Sequence, residues 1–327
     1  MATVGIIASP IAGKDVRRLV ANAGSIGDAD KVAIIRRAAL GAIEGGATRL
    51  LLLDDSRHLV LRALDGVDDV DVELIDLATM GTGRDSVRAA AMLAKEDVGA
   101  VLVFGGDGTN RDVAKGWIDA PIVPVAVGTN NVFPLHLEST ICGVASGLVA
   151  SGVVGLDQVA TRAKVIHVAF EDDEPDLGLV DVVLVDGDFI GSRAVWHTED
   201  LREAVFAIAD PSAVGLSSIG AAVRPTGFAD DGAVFVEMGN AGTVVRVPIA
   251  PGTFASVALA GHDRVDLGTE VVIEGPGVLA FDGERDHVLA DGHAAVLTVR
   301  RDGPWVIDPH TVARLAVDTG FFHSPPH

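Results

Sequence analysis

Ala100-Val101-Leu102-Val103-Phe104-Gly105-Gly106-Asp107-Gly108-Thr109-Asn110-Arg111 joins an unbroken apolar run to a glycine-rich turn and then to a helical pattern. A short apolar run closed by glycine reads as a strand buried on both faces, the kind found in a parallel sheet covered by helices. Glycines at the strand's end let the backbone approach a ligand and adopt conformations closed to other residues. The helix expected from about Asn110 or Arg111 directs its unpaired amides and positive end at the same turn. A phosphate suits that place, because ligands of open α/β sheets bind outside the carboxyl ends of the strands.

Working outward, apolar runs at Val4–Ala8, Arg49–Leu53, Val70–Leu77 and Ile122–Ala126 alternate with helical patterns near Lys31–Ile43, Ser56–Leu64, Asp85–Glu96 and Arg111–Ile118. This alternation predicts an α/β domain with a doubly wound parallel sheet over residues 1–155. From about Val159 the helical period fades. The runs Ala163–Phe170, Val180–Val185, Val244–Ile249, Val271–Glu274 and Ala294–Val299, parted by Gly, Pro and Asp turns, predict a β-rich second domain over residues 156–310. The tail, residues 311–327, carries a helical pattern at Thr311–Val317 and is expected to pack back on the first domain. A chain of 327 residues exceeds the usual size of one hydrophobic core, which agrees with two domains.

With 46 Asp and Glu against 25 Lys and Arg, the formal charge of −21 repels a polyanion, so nucleic acid is excluded as a partner. An anionic ligand then needs local help from backbone N–H groups, a helix N-terminus and Mg²⁺. Cys142 is the only cysteine. It rules out an intrachain disulfide and a Cys-based zinc site, and it fits a reducing, cytoplasmic compartment. The apolar run at Val4 has no basic segment before it and ends at Pro10, unlike a signal peptide. The uncharged stretch Ser139 to Leu156 is studded with Gly and Ser and reads as a buried helix, with no membrane span expected.

The turn is neither of the two commonest phosphate loops. Gly13-Lys14 is followed by Asp15 rather than Ser or Thr, and Arg111 stands where a dinucleotide fingerprint needs its third glycine. An Asp in a phosphate turn requires a reason. Asp107 has one as a general base on an acceptor hydroxyl or as a support for Mg²⁺; the plainer alternative is a helix cap, a role Thr109 or Asn110 could also fill. Arg111 either reaches a phosphate or sits on the helix surface.

Gly105-Gly106-Asp107-Gly108-Thr109 after a strand resembles the hallmark of the superfamily of NAD kinases and diacylglycerol or sphingoid kinases. The opening stretch Gly5-Ile6-Ile7-Ala8-Ser9-Pro10-Ile11-Ala12-Gly13-Lys14-Asp15-Val16-Arg17-Arg18 is similar to the ATP-NAD kinase-like branch called acetoin catabolism protein X, and the resemblance covers nearly the whole chain. It implies an NAD kinase-like fold, ATP and Mg²⁺ as cofactors, a homo-oligomer, and phosphoryl transfer to a hydroxyl of NAD or NADH. A kinase for another small hydroxylated metabolite or a lipid linked to acetoin-type catabolism, and a non-catalytic nucleotide-binding regulator, stay open beside it.

By the same resemblance Asp107 and Glu284 are the catalytic candidates, and Gly105, Gly106, Gly108, Thr109, Asn110, Arg111, Gly128, Thr129, Asn130 and Ser9 are the nucleotide-binding ones. Val127-Gly128-Thr129-Asn130-Asn131 matches a second nucleotide turn; Phe281-Asp282-Gly283-Glu284 is similar to the Asp-Gly-Glu of the lipid kinases, although Asp-Gly by itself is a common hairpin turn. Three departures concern the ligands: Ser9 replaces an Asn, Val180 stands where NAD kinases carry an Asn, and the chain has no Tyr. Metal ligands are not identified. Asp181, Asp186 and Asp188 do not share one strand face, Gly191-Ser192-Arg193 either brings a cation to the cleft or forms a surface pair, and His287 and His293 lack ligand spacing and read as exposed turn histidines.

Overall fold

The computed structural model describes residues 1–12, 26–128, 131–134, 136–187, 189–190, 194–195 and 197–323. The first half runs β1 (Thr3–Ala8), α1 (Asp28–Glu44), β2 (Arg49–Leu52), α2 (Leu59–Leu64), β3 (Asp71–Leu74), α3 (Gly83–Leu93), β4 (Ala100–Gly105), α4 (Asp107–Gly116), β5 (Pro121–Ala126) and α5 (Ser139–Ala150). It continues through α6 (Leu156–Val159), β6 (Ala160–Arg162), β7 (Val165–Phe170), β8 (Asp176–Gly178), β9 (Asp181–Val185), β10 (Leu201–Phe206) and α7 (Ser217–Ala221). The last elements are β11 (Ala233–Ala250), β12 (Thr253–Val265), β13 (Glu270–Glu274), β14 (Gly277–Phe281), β15 (Glu284–Leu289), β16 (Ala294–Arg300), β17 (Trp305–Ile307) and α8 (Pro309–Asp318).

The first sheet has the order β3-β2-β1-β4-β5-β17-β6. β1 and β4, almost wholly apolar, are buried at every position, as a parallel sheet with two covered faces requires. The core on one face gathers Ile35, Ala38 and Ala42 of α1 with Ala145 and Leu148 of α5 and Val312 of α8; that on the other gathers Ala89 and Leu93 of α3 with Val113 of α4. The chain therefore leaves β1 toward one face and β4 toward the other, although the two strands are parallel neighbours. A crevice must open between their carboxyl ends, because the two departing connections move apart. Ser9 and Gly106 stand at its lips.

The second part is antiparallel. A six-stranded sheet, β12-β11-β10-β9-β14-β15, faces a four-stranded one, β13-β16-β7-β8, across a core that includes Ile166, Val168, Leu184, Leu279 and Leu297. The chain then returns to the first sheet: β17 pairs in parallel with β5 and antiparallel with β6, and α8 follows, capped by the Asp308 carboxylate on the His310 and Thr311 amides.

Some boundaries move from the sequence expectation for physical reasons. The helix after the glycine turn starts at Asp107, not at Asn110 or Arg111, because Gly106 serves as an extended N-cap and lets the chain turn within one residue. Ser139–Ala150 is a buried helix, and among the described residues no helix is long and apolar enough to cross a membrane. The run Val70–Leu77 forms only the four-residue, exposed edge strand β3.

Candidate functional site

A cleft of about 1370 Å³ lies between the first sheet and the antiparallel part, lined by Ser9, Gly106, Asp107, Gly108, Thr109, Gly128 and Glu284 among others. The glycines there do three different jobs. A Cβ on Gly105 would collide with the Thr109 side chain, so this glycine makes the strand-to-helix turn tight enough to close. Gly128 lies where a Cβ would sit 3.3 Å from Gly106 Cα and 2.5 Å from Asn131 Oδ1, which brings the turn after β5 against the turn after β4. A Cβ on Gly108 would meet nothing within 4 Å, so its glycine serves the open space of the cleft and not packing.

Asp107 ties the two turns together. Its carboxylate accepts from Val132 N at 3.0 Å and Phe133 N at 2.9 Å, and as the first residue of α4 it also suits the positive end of the helix. Asn110 is fully buried behind the turn, where Nδ2 donates to the Gly106 carbonyl at 2.9 Å. It braces the first helical turn and does not line the cleft, contrary to its expected place among the nucleotide contacts. Ser9 donates its amide to the Phe104 carbonyl, and its Oγ accepts from Ala12 N at 3.2 Å. The buried Lys31 of α1 holds the same loop from beneath, donating Nζ to the Ala12 carbonyl at 2.7 Å. Thr129, Asn130, Asp188, Ser192 and Arg193 lie outside the described residues.

Asp282 and Gly283 form the hairpin turn between β14 and β15, both with left-handed backbones, φ of 50° and 80°. The buried Asp282 carboxylate turns inward and accepts from Leu179 N and Val180 N at 3.0 and 2.7 Å, while Asp181 Oδ1 accepts from Gly283 N at 3.2 Å. With its neighbours fixed in this way, Glu284 is carried to the cleft wall. The hairpin reading and the cleft reading of Asp-Gly-Glu therefore describe one object.

Arg111 does neither thing expected of it. It is 6% exposed, stacks over Phe281 at 4.4 Å, and donates to the Leu177 carbonyl at 2.6 Å, to Asp176 at 2.7 Å and to Asp286 at 3.0 Å. Every partner belongs to the antiparallel part, so the first turns of α4 bolt the two halves of the cleft together. Lys115, one turn further, reaches Asp176 at 2.8 Å. His287 is not an exposed turn residue either: it stacks on Phe170 at 4.6 Å and meets Asp176 at 3.3 Å.

Asp176, Asp286 and His287 are the one described trio that could act as metal ligands, but Arg111 and Lys115 already occupy both carboxylates. The trio does not fit a resident cation. Among the described residues, Asp181 and Asp186 do not assemble as ligands, since Asp181 is taken up at the hairpin and Asp186 is exposed. Sequence reasoning also missed Asp112. Once the helix is known to begin at Asp107, positions 108, 111, 112 and 115 fall on one face, and the structure turns that face to the cleft.

This ionic cluster is pH-sensitive from both sides. Burial alone would raise the Asp176 carboxyl, but the hydrogen bond from His287 and the charges of Arg111 and Lys115 outweigh it and hold it well below the usual carboxylate range. The bond to Asp176 raises the His287 imidazole above its ordinary value. A depressed carboxyl contributes stability above its unfolded pKa and loses it as pH falls through the folded one; a raised imidazole contributes below its unfolded pKa and loses it as pH rises through the folded one. The thermal midpoint is therefore expected to fall between about pH 6 and about pH 9, and to fall less in His287→Gln. Differential scanning calorimetry of both proteins checks this, and equal slopes would refute it.

The comparisons with known proteins agree with this architecture. A family model described as the acetoin catabolism protein X C-terminal domain matches residues 164–302. Acetoin catabolism protein X of Cupriavidus necator is 36% identical over 312 residues, which cover 90% of this chain and 86% of that protein. Among solved structures, yeast NADH kinase complexed with NADH superposes with a TM-score of 0.52 at 13% identity, covering 99% of this chain and 89% of the other. At that identity the likeness concerns the fold, which is NAD kinase-like: a parallel sheet with helices followed by an antiparallel part.

Proposed function

We propose a phosphotransferase reading on one premise: this chain belongs to the acetoin catabolism protein X family, and its fold is that of a kinase. The reaction is ATP-dependent transfer of a phosphoryl group to a hydroxyl, with NAD or NADH as the first acceptor to try. The observation that carries it is the convergence on one cleft of a glycine turn at a helix N-terminus, a second glycine turn and an acidic residue from the opposite wall. Phosphoryl transfer needs such a setting, because catalysis comes from positioning the phosphates and acceptor and balancing charge, not from elaborate side-chain chemistry.

In this reading Gly106, Gly108 and Thr109 cradle the donor's phosphates, aided by the N-terminal amides of α4. Gly105 and Asp107 keep the turn in shape, Gly128 brings the second turn to it, and Glu284 faces the reacting groups from the other wall. Thr129 and Asn130 remain proposed nucleotide contacts on the motif alone, and Ser9 supplies the loop at the edge. Mg²⁺ would enter with the donor's phosphates, as it commonly does. No step is assigned to a protein-held metal.

The NADH of the yeast enzyme's complex is the ligand that motivates NAD(H) as acceptor. A second acceptor class, another small hydroxylated metabolite, is favoured by one observation: Val180, at the position of the adenosine-holding Asn, is 1% exposed within the core and has no hydrogen-bonding side chain to offer. The test is a panel of NAD, NADH, diacylglycerol and short-chain polyols, each with ATP and with polyphosphate. Phosphate transfer to NAD or NADH is expected. Transfer only to a polyol would replace the acceptor, and ATP binding without transfer to anything would leave a nucleotide-binding regulator.

A further inference from the structure

Phosphoryl transfer leaves one proton to be placed, the one on the acceptor's hydroxyl. Asp107 is poorly suited to receive it, since its carboxylate already accepts two backbone amides and works as a strut between the turns. Asp282 is fully buried on backbone amides, and Asp176 and Asp286 are joined to Arg111. Asp112 differs from all of these. It lines the cleft, its carboxylate accepts no hydrogen bond from any described residue, and it lies four residues after Gly108, on the same face of α4.

Its setting is built rather than incidental. Beside it, on the neighbouring helix of the same sheet face, the first residue of α3 is Gly83, and a Cβ there would collide with the Asp112 carboxylate. Glycine at that position leaves the carboxylate its room, and the other atoms around it impose no hydrogen-bonded role. We propose that Asp112 is the catalytic residue that takes the proton from the acceptor hydroxyl, an assignment that rests on the phosphotransferase reading of this cleft.

The hydroxyl oxygen forms its bond to the donor's terminal phosphorus while the bond from that phosphorus to the bridging oxygen breaks, and the electron pair leaves on the departing diphosphate. The hydroxyl proton passes to an Asp112 oxygen, turning carboxylate to carboxylic acid, and is later lost to water. The base must be ionised at working pH yet basic enough to accept a proton, and burial pushes Asp112 up to about 6.

Burial is the largest cause, and the charges around Asp112 act on it from both directions. Arg111 and Lys115 on its own helix lower it, while Glu284 and Asp286 on β15 raise it. Arg111 and Lys115 are also joined to Asp176. On α3, Arg88 is joined to Asp85 at 2.7 Å, and Arg84 lines the cleft near Gly83. Glu284, on the opposite wall, adds to what burial does in raising Asp112.

The experiment uses the full chain with the acceptor that the panel identifies, and compares wild type, Asp112→Asn and Asp112→Glu from about pH 5 to about pH 9, together with ATP affinity by calorimetry. Asp112→Asn is expected to lower kcat by about 100-fold or more with ATP affinity unchanged, and to abolish an acid limb near pH 6 that wild type displays and Asp112→Glu restores. Activity of Asp112→Asn within threefold of wild type, or an acid limb that survives the substitution, overturns the assignment while leaving the phosphotransferase reading intact. If the variant does not fold, the wild-type profile decides, since the lack of an acid limb near pH 6 refutes it. If wild type transfers phosphate to no acceptor, the phosphotransferase reading fails and the assignment falls with it.

Discussion

Arg111→Met is expected to destabilise the protein by about 3–5 kcal/mol, because removing one partner from a buried ionic group leaves the others charged and unpaired. Methionine keeps the packing on Phe281 but takes away the donors to Leu177, Asp176 and Asp286. Asp176, at 8% exposure, would then depend on Lys115 and His287, while the Asp282 carboxyl, already raised by burial despite the charge of Arg111, would lose that opposing charge. The two halves of the cleft meet through these bonds, so transfer activity should fall together with stability. Arg111→Lys should lie between: it preserves a charge but not the planar fork or the stack. A double-mutant cycle separates network from packing, since Asp176→Asn should cost much less in Arg111→Met than in wild type. Equal costs in the two backgrounds would mean that the guanidinium and the carboxylate act independently.

Much of this fold could be read because the residues that encode it do so locally. The apolar runs at Val4 and Ala100 and the glycines after Phe104 report a covered parallel strand and a ligand turn without reference to anything distant. What the sequence hid was long-range. Nothing near Arg111 says that Asp176 and Asp286, more than sixty residues away along the chain, will come to it. Its helix was expected to begin a turn later, and that shift concealed the common face of Gly108, Arg111, Asp112 and Lys115. His287 looked like a turn residue because Asp and Gly surround it in sequence, whereas Phe170 and Asp176 surround it in space. Asn110 was included with the ligand contacts by proximity to the motif, yet burial directs its amide to the backbone of Gly106.

Gly143→Ala tests the other feature that a sequence window reads ambiguously, the small-residue stretch of α5. Helix propensity alone predicts a gain of about 1 kcal/mol, since alanine is the best helix former and glycine among the worst. The structure predicts the opposite sign. Gly41 of α1 packs against Thr140 and Val144 of α5, and its C-cap Gly45 against Gly147; a Cβ on Gly143 would collide with the Ala38 carbonyl oxygen, one on Gly147 with that of Ala42, and one on Gly41 with that of Thr140. These obstacles are backbone atoms of a neighbouring helix, which cannot rotate away as a side chain can. The two helices must separate, which loosens Ala38, Ala42, Ala145 and Leu148 in the core beneath β1 and β4. Overpacking of a close-packed interior costs about 1–3 kcal/mol when side chains can adjust, so a clash with backbone belongs at or above the top of that range and outweighs the propensity gain. Chemical denaturation of Gly143→Ala should therefore give a lower midpoint than wild type, and Gly147→Ala should behave alike, whereas an unchanged or raised midpoint would mean that α1 and α5 do not approach this closely.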